Sequence, residues 1–175
     1  EIKAGIADEN GRMCMPLEKF PSRAKEDKET ILSHFAEIIS KMSQKVEGGI
    51  GGVGMAFPGP FDYVHGFSLM QGLDKYDSIY KVPLEEAIKM RVPSVRNAMF
   101  LFLHDVEAFA VGVSTYGSCK NAEKIICLCI GTGAGSAFIK HHKAVKCGSG
   151  VPKNGWIYDT PFKDSVIDDY LSVRG

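Results

Sequence analysis

Residues 98–108 read Ala98-Met99-Phe100-Leu101-Phe102-Leu103-His104-Asp105-Val106-Glu107-Ala108, an apolar run that ends at an ionisable pair. An uninterrupted apolar run is typical of a strand buried on both faces, and Asp105 is a favourable N-cap for a helix over 106–116. Its carboxylate is then expected at the rim of the sheet, on a rigid element, where a general base can act on a hydroxyl. The spacing is equally compatible with a carboxylate that only caps the helix.

The segments on either side alternate between strands and helices. Near the start, an Asn10-Gly11 turn between two alternating stretches predicts a hairpin. The predicted strands cover residues 1–8, 12–20, 50–57, 98–103, 124–130, 134–140 and 143–147, and the predicted helices cover 25–46, 83–90, 106–116 and 164–172. This order predicts an α/β domain with a mixed sheet. The change to consecutive strands predicts a boundary between a lobe over 1–119 and the start of a second over 120–175.

Composition and charge exclude several classes of partner. The 175 residues carry 21 Lys and Arg against 21 Asp and Glu, so the formal net charge is zero. Proteins that bind nucleic acids or anionic membranes rely on an excess of positive charge. No apolar run approaches the ~20 residues that span a bilayer, and the chain opens at Glu1 without a secretory leader. Because its five cysteines also lack paired spacing, we expect a cytoplasmic protein that binds neither nucleic acid nor membrane.

Two further segments have the composition of ligand-binding loops. Pro58-Gly59-Pro60 follows the strand that ends at Phe57, and loops at the carboxyl ends of strands bind small molecules in α/β proteins. Gly131-Thr132-Gly133 joins two predicted strands, and a turn of small residues presents N–H groups and a hydroxyl to phosphate oxygens. Each segment is also compatible with a purely structural turn. In chain order, the three segments offer a polyol-sized pocket, a base at Asp105 and a phosphate-binding turn.

Four blocks of the sequence resemble successive motifs of one protein family. They are Ala4-Gly5-Ile6-Ala7-Asp8-Glu9-Asn10-Gly11, Gly54-Met55-Ala56-Phe57-Pro58-Gly59-Pro60-Phe61-Asp62, His104-Asp105-Val106-Glu107-Ala108 and Ile130-Gly131-Thr132-Gly133-Ala134-Gly135. In this order they are similar to the ROK family, which comprises bacterial sugar kinases, N-acetylhexosamine kinases and related repressors. The resemblance implies the ribonuclease H-like fold of the actin-like ATPase superfamily, with the first lobe and the start of the second in this chain.

The resemblance also implies an activity, the ATP-dependent phosphorylation of a hexose or N-acetylhexosamine on its 6-hydroxyl. Asp105 matches the catalytic aspartate that takes the hydroxyl proton, and the Pro58-Gly59-Pro60 loop matches residues that hold sugar hydroxyls. Gly131-Thr132-Gly133 matches the second phosphate-binding loop. The implied cofactors are ATP and Mg²⁺, because phosphoryl transfer depends on positioning and on the neutralisation of charge.

Four positions of the expected sugar site depart from the family pattern. His104 and Glu107 stand where the family usually has Asn residues on either side of its catalytic aspartate. Trp156 and Asp159 replace the Glu and the His of its Gly-Glu-Ile-Gly-His segment, and the cysteines that should follow are missing. We therefore expect no zinc, and an aromatic face at the sugar's reducing end. Trp156 is equally compatible with a core position, and these substitutions leave the identity of the sugar open.

Two alternatives to a sugar kinase follow from the departures and from the length. A sugar-binding regulator would keep the fold without catalysis, although regulators of this family usually carry an N-terminal helix-turn-helix that has no counterpart here. The sequence also starts after the family's Asp-x-Gly-Gly-Thr turn and stops before its adenosine site. We therefore expect a portion of a longer kinase, inactive by itself. A homodimer is compatible with the family, in which dimers are common.

Overall fold

A computed structural model describes residues 1–173 of the chain. Its internal contacts divide the chain into two compact units, the first spanning Glu1–Leu103 and the second beginning at His104. Within residues 1–173, no helix combines the length and the apolar character needed to cross a membrane.

The first unit contains the predicted opening hairpin, two helices and four further strands. Its elements are β1 (Ile2–Ala4), β2 (Glu18–Phe20), α1 (Lys28–Ser43), β3 (Gly52–Phe57), β4 (Phe61–Asp62), β5 (Phe67–Ser68), α2 (Leu84–Arg91) and β6 (Met99–His104), the last residue of which opens the second unit. β1 and β2 are antiparallel, with Ile2 opposite Phe20. β4 and β5 form a second antiparallel hairpin, and β3 pairs with β6.

Helix α1 shows how a local signal sets an element in this unit. It begins after Asp27, whose carboxylate accepts hydrogen bonds from the backbone N–H groups of Glu29 and Thr30 at 2.9 and 3.1 Å. These are donors that the first helical turn otherwise leaves unpaired, so the helix begins at Lys28. It ends at Ser43 and is thus shorter than the predicted 25–46. Its buried apolar residues recur at helical spacing, as predicted: Ile31, Leu32, Phe35, Ile38, Ile39 and Met42.

Aromatic side chains connect α1 to the end of β3. The ring centroid of Phe57 lies 5.9 Å from that of Phe35, 5.1 Å from that of Tyr76 and 4.9 Å from that of Phe61. All four side chains are buried, and aromatic pairs at such distances contribute about 0.5–1.5 kcal/mol beyond their burial. This cluster anchors the carboxyl end of β3, where the Pro58-Gly59-Pro60 loop starts.

The second unit consists of one helix on a three-stranded antiparallel sheet, followed by short elements. They are α3 (Asp105–Thr115), β7 (Lys124–Ile130), β8 (Ala134–Lys140), β9 (Lys143–Val145), β10 (Pro161–Phe162), β11 (Ser165–Val166) and α4 (Asp168–Leu171). β8 lies between β7 and β9, with Ile130 opposite Ala134 and Ile139 opposite Ala144. The predicted hairpin over 124–140 and the third strand are therefore present.

Packing of α3 explains why the second unit starts earlier than the predicted lobe boundary at residues 119 and 120. Val106 and Ala110 on the helix are buried together with Ala137 and Ile139 of β8. The helix is thus a layer on the β7–β9 sheet. Its contacts group it with the strands that follow, although its sequence continues directly from β6.

Two local structures differ from their predictions. The N-cap of α3 is His104, with extended backbone angles, and Asp105 is the first helical residue. The predicted cap is therefore wrong by one position, because the Asp105 carboxylate bonds to the adjacent N–H of Val106 at 2.8 Å and not to an amide further along. The predicted helix over 164–172 is also wrong at its start: β10 and β11 pair through a turn in which Lys163 has φ 53°, so only α4 is helical.

Candidate functional site

Asp105 lies where a rigid strand passes into a rigid helix. It is the first residue of α3, and its side chain is 55% exposed. One carboxylate oxygen accepts the N–H of Val106 at 2.8 Å and lies 3.3 Å from Nδ1 of His104. A negative charge is favourable at a helix N-terminus. One carboxylate oxygen is thus hydrogen-bonded to the backbone, while the side chain remains accessible from solvent. A general base has to be accessible to the hydroxyl on which it acts.

An aromatic surface adjoins this carboxylate. The ring of His104, whose side chain is only 17% exposed, lies 5.6 Å from that of Trp156 between centroids, with the planes inclined at 41°. The Trp156 ring in turn lies 6.0 Å from that of Tyr158. Burial, together with the negative charges of Asp159 and Asp168, raises the pKa of Tyr158. Three rings therefore follow one another, starting from the His104 ring that adjoins Asp105.

A buried hydroxyl holds the segment that carries Trp156. Ser136 on β8 is buried, donates to the carbonyl of Gly155 at 2.7 Å and accepts the N–H of Ile157 at 3.0 Å. Both partners flank Trp156, so the strand fixes the backbone on each side of the indole. Gly155 has φ +73° and a Cβ there would lie 3.0 Å from the carbonyl oxygen of Val145, so this position requires glycine.

Glu107 is buried and already paired. Its side chain is 10% exposed, and one carboxylate oxygen lies 3.1 Å from Nζ of Lys146, which follows β9. Both residues line a narrow crevice together with Ser136, Asn154 and Trp156. Lys146 was not predicted from the sequence, because no local pattern connects it with the helix that carries Glu107.

The Gly131-Thr132-Gly133 turn joins β7 to β8 as predicted. The N–H of Gly131 donates to the carbonyl of Gly133 at 3.1 Å, and a Cβ at Gly131 would meet no atom within 4 Å, so space beside the turn is open. Directly after the turn, the N–H of Ala134 donates to a carboxylate oxygen of Asp168 at 2.6 Å. Asp168, in the first turn of α4, was not predicted from the sequence either. The only nearby pattern in the sequence that could have indicated it is the pair of adjacent acidic residues that it forms with Asp169.

The Pro58-Gly59-Pro60 loop belongs to the first unit and is braced from both ends. The hydroxyl of Tyr63 donates to the carbonyl of Phe57 at 3.0 Å, and the N–H of Leu69 donates to that of Pro60 at 3.1 Å. The two donors lie in the turn of the β4–β5 hairpin and just after it, so this hairpin holds both ends of the loop. Its backbone groups are placed on a fixed support, as a loop that presents main-chain groups to a ligand needs.

Just beyond this loop, Asp62 closes a tight turn. One of its carboxylate oxygens accepts the N–H groups of Val64 and His65 at 3.0 and 2.9 Å, and the other lies 2.9 Å from Nδ1 of His65. The hydrogen bond with the His65 side chain, followed by that with its backbone N–H, lowers the pKa of Asp62.

The predicted site residues fall into separate groups. Asp105, His104 and Trp156 form one continuous set of contacts in the second unit, and Asp159 is exposed three residues beyond Trp156. Glu107 pairs with Lys146, while the Pro58-Gly59-Pro60 loop lies in the first unit. Among residues 1–173, no three or more His, Cys, Asp or Glu side chains lie close enough together to hold a metal ion.

Comparison with known proteins gives a family match over most of the chain. The family model described as "ROK family" matches residues 1–157. A glucokinase from Thermotoga maritima is 25% identical over 141 residues, which make up 80% of this chain and 41% of that enzyme. The chain therefore spans less than half the length of this relative.

Solved structures match over nearly the whole chain at lower identity. A ROK family glucokinase from Streptomyces griseus, in complex with glucose and AMPPNP, is 20% identical with a TM-score of 0.67. The match covers 97% of this chain and 53% of the glucokinase chain. An inorganic polyphosphate/ATP-glucomannokinase from Arthrobacter sp. strain KM is 19% identical with a TM-score of 0.70, and the match covers 98% of this chain and 64% of the glucomannokinase chain. At these identities the likeness shows the fold alone, and it confirms the predicted ribonuclease H-like α/β fold.

Proposed function

The chain belongs to the ROK family, and on that premise we propose that it forms part of a kinase that transfers the γ-phosphoryl group of ATP to the 6-hydroxyl of a hexose or N-acetylhexosamine. The observation that carries the proposal is Asp105, an exposed carboxylate at the first helical residue after a strand. The resemblance matches this residue to the family's catalytic aspartate. The glucokinase and glucomannokinase relatives support a hexose as the substrate.

Asp105 acts as the general base in this proposal. It takes the proton from the sugar hydroxyl as the oxygen attacks the γ-phosphorus, and the bond from phosphorus to the ADP oxygen breaks. A positioned base contributes about 10²–10⁴-fold to such a rate. Its support comes from the strand-to-helix junction that fixes its backbone and from the Val106 N–H, which occupies one oxygen and leaves the other available.

Sugar binding is assigned to groups near Asp105 and to the family loop. The face of Trp156 offers an apolar platform for a sugar ring. Polar groups are supplied by His104, whose ring lies 5.6 Å from that of Trp156, and by Asp159, three residues further along the chain. The Pro58-Gly59-Pro60 loop would hold sugar hydroxyls, on the strength of the resemblance. Glu107 is the weakest member of the predicted set, because its carboxylate is paired with Lys146.

The nucleotide phosphates are assigned to the Gly131-Thr132-Gly133 turn, beside which space is open. An anion bound there would share the turn with the carboxylate of Asp168. Carboxylate and phosphate oxygens are both ligands that Mg²⁺ prefers, so Asp168 together with the ATP phosphates would hold the ion. The ion supplies neutralisation of phosphate charge when bound. We also propose a cytoplasmic location, in keeping with the use of ATP and with the five cysteines of the sequence, which lack paired spacing.

The test is a panel of sugars assayed with the intact protein. Glucose, mannose, N-acetylglucosamine and N-acetylmannosamine are each incubated with MgATP, and sugar phosphate and ADP are quantified. We expect ADP in equal amount to sugar phosphate for at least one sugar, and none with its 6-deoxy analogue, which lacks the accepting hydroxyl. Saturable sugar binding by calorimetry without any sugar phosphate would contradict the kinase and support the regulator.

A further inference from the structure

We propose that Lys146 is a positioning residue: its ion pair with Glu107 fixes the first turn of α3 on the β7–β9 sheet and thereby sets the position of Asp105. The inference rests on the proposed function, since the position of Asp105 affects catalysis only if Asp105 acts on the sugar. It also gives Glu107 a role other than the substrate contact expected from the family pattern.

The pair connects two elements that are far apart in sequence. Glu107 is the third residue of α3, and Lys146 directly follows β9. The carboxylate oxygen and Nζ lie 3.1 Å apart, the Glu107 side chain is 10% exposed and that of Lys146 is 50% exposed. A charge-assisted contact at this distance therefore ties the start of the helix to the edge of the sheet.

The burial of Glu107 makes this contact necessary. A carboxylate removed from water is strongly unfavourable unless it is paired, and removing one partner of a buried pair is far more destabilising than removing an exposed pair. Without Lys146, an outward movement of the first helical turn would restore solvation to the carboxylate. Asp105 is two residues away on the same turn and would move with it.

An apolar contact anchors the same turn from its other side. Val106 is buried against β8, where a Cβ added to Gly135 would lie 2.6 Å from Cγ2 of Val106. The absent side chain allows the helix to approach the strand this closely. The two residues that follow Asp105 are thus both fixed on the sheet, one by packing and one by charge, while the Asp105 carboxylate itself stays exposed.

The kinetic test replaces Lys146→Met, which keeps the aliphatic stem and removes the charge. We expect kcat for sugar phosphorylation to fall about 10- to 100-fold, because a shift of about 1 Å in a catalytic group costs rates of this order, with the KM for sugar almost unchanged. Lys146→Arg should retain most activity. The exchange Glu107→Lys with Lys146→Glu should recover part of what either single change loses, because it restores an opposite-charge pair.

The matched control is Lys41→Met in the first unit. Lys41 pairs with Glu18 at 2.8 Å and is 53% exposed, close to the exposure of Lys146, and we expect wild-type kinetics. A raised KM with unchanged kcat in Lys146→Met would overturn the positioning role in favour of a substrate contact. Unchanged kinetics in Lys146→Met would overturn it as well.

Hydrogen exchange tests the same inference without catalysis. Amides 109–111 donate to carbonyls of the first turn of α3, so their exchange should accelerate about tenfold or more in Lys146→Met and remain at the wild-type rate in Lys146→Arg and Lys41→Met. If the wild type phosphorylates no sugar, the proposed function fails, yet this exchange pattern still decides on the ion pair. Equal exchange in Lys146→Met and wild type would overturn it.

Discussion

The two compact units are stabilised by different kinds of interaction. The first has a large apolar cluster in which residues of α1, α2, β3 and β6 are buried together, among them Ile31, Leu84 and Ile88 with no exposed surface. The second has a small buried apolar cluster of Val106, Ala110, Ala137 and Ile139. In the second unit, buried polar contacts such as those of Ser136 and Glu107 connect the segments instead.

This difference matters because hydrophobic and polar interactions fail in different ways. An apolar core responds to lost volume in proportion to the cavity, whereas a buried polar contact responds to the loss of a single atom. The proposed base and its aromatic neighbour lie in the unit that relies on polar contacts. We therefore expect activity to be sensitive to small polar substitutions there, and stability to be most sensitive to truncation in the first unit.

The largest effect on stability is expected for Ile88→Ala in α2. Ile88 is fully buried in the core cluster, and truncation of such a residue costs about 2–5 kcal/mol through lost burial and the cavity that remains. Chemical unfolding followed by circular dichroism measures the change. The exposed neighbour Met90→Ala, at 73% exposure, should cost little. Equal effects of the two substitutions would show that this cluster is not the core of the first unit.

A smaller but more local effect is expected for Ser136→Ala in β8. The substitution leaves the Gly155 carbonyl and the Ile157 N–H without their partner, at a cost of about 1–3 kcal/mol. Trp156 is the only tryptophan in the sequence, so its fluorescence should report the loosened segment directly. Ser114→Ala is the control, because that equally buried hydroxyl bonds to the Val111 carbonyl of its own helix, and it should leave the emission unchanged. An unchanged spectrum in Ser136→Ala would contradict the role of this hydroxyl.

The smallest effect concerns Asp62 in the first unit. Its hydrogen bonds with His65 lower its pKa below the ordinary value of 3.8, so its ionised form contributes stability at higher pH. That contribution is lost as the pH falls through the lowered pKa. Titration by nuclear magnetic resonance should give a pKa below 3.8 in the wild type and a higher one in His65→Ala. The same pKa in both proteins would exclude the His65 side chain as its cause.

Features that depend on neighbouring residues were predictable from the sequence. The spacing of apolar residues in α1, the glycine turn between β7 and β8 and the junction of β6 with α3 all appear in the structure where patterns placed them. The ionisable pair His104 and Asp105 was identified as a candidate site from its place after an apolar strand. Each of these signals lies within a few residues of the feature it predicts.

Features that depend on distant residues were not. Nothing near Glu107 in the sequence indicates its pair with Lys146, and nothing near Ala134 indicates the carboxylate of Asp168 on its N–H. The cap of α3 was wrong by one position for a related reason. An Asp at a strand-to-helix junction can bond to several amides, and only the backbone angles of the fold decide that Val106 is the partner.

The role of Asp105 as the base that takes the proton from the accepting sugar hydroxyl is tested by Asp105→Asn, measured together with sugar binding. The amide keeps the shape of the side chain but cannot act as a base. We expect kcat to fall about 10²- to 10⁴-fold with the Kd for sugar nearly unchanged, because a transition-state role is lost and ground-state contacts are kept. Asp74→Asn, in the first unit and 77% exposed, should turn over as wild type. Normal turnover in Asp105→Asn would exclude Asp105 as the base.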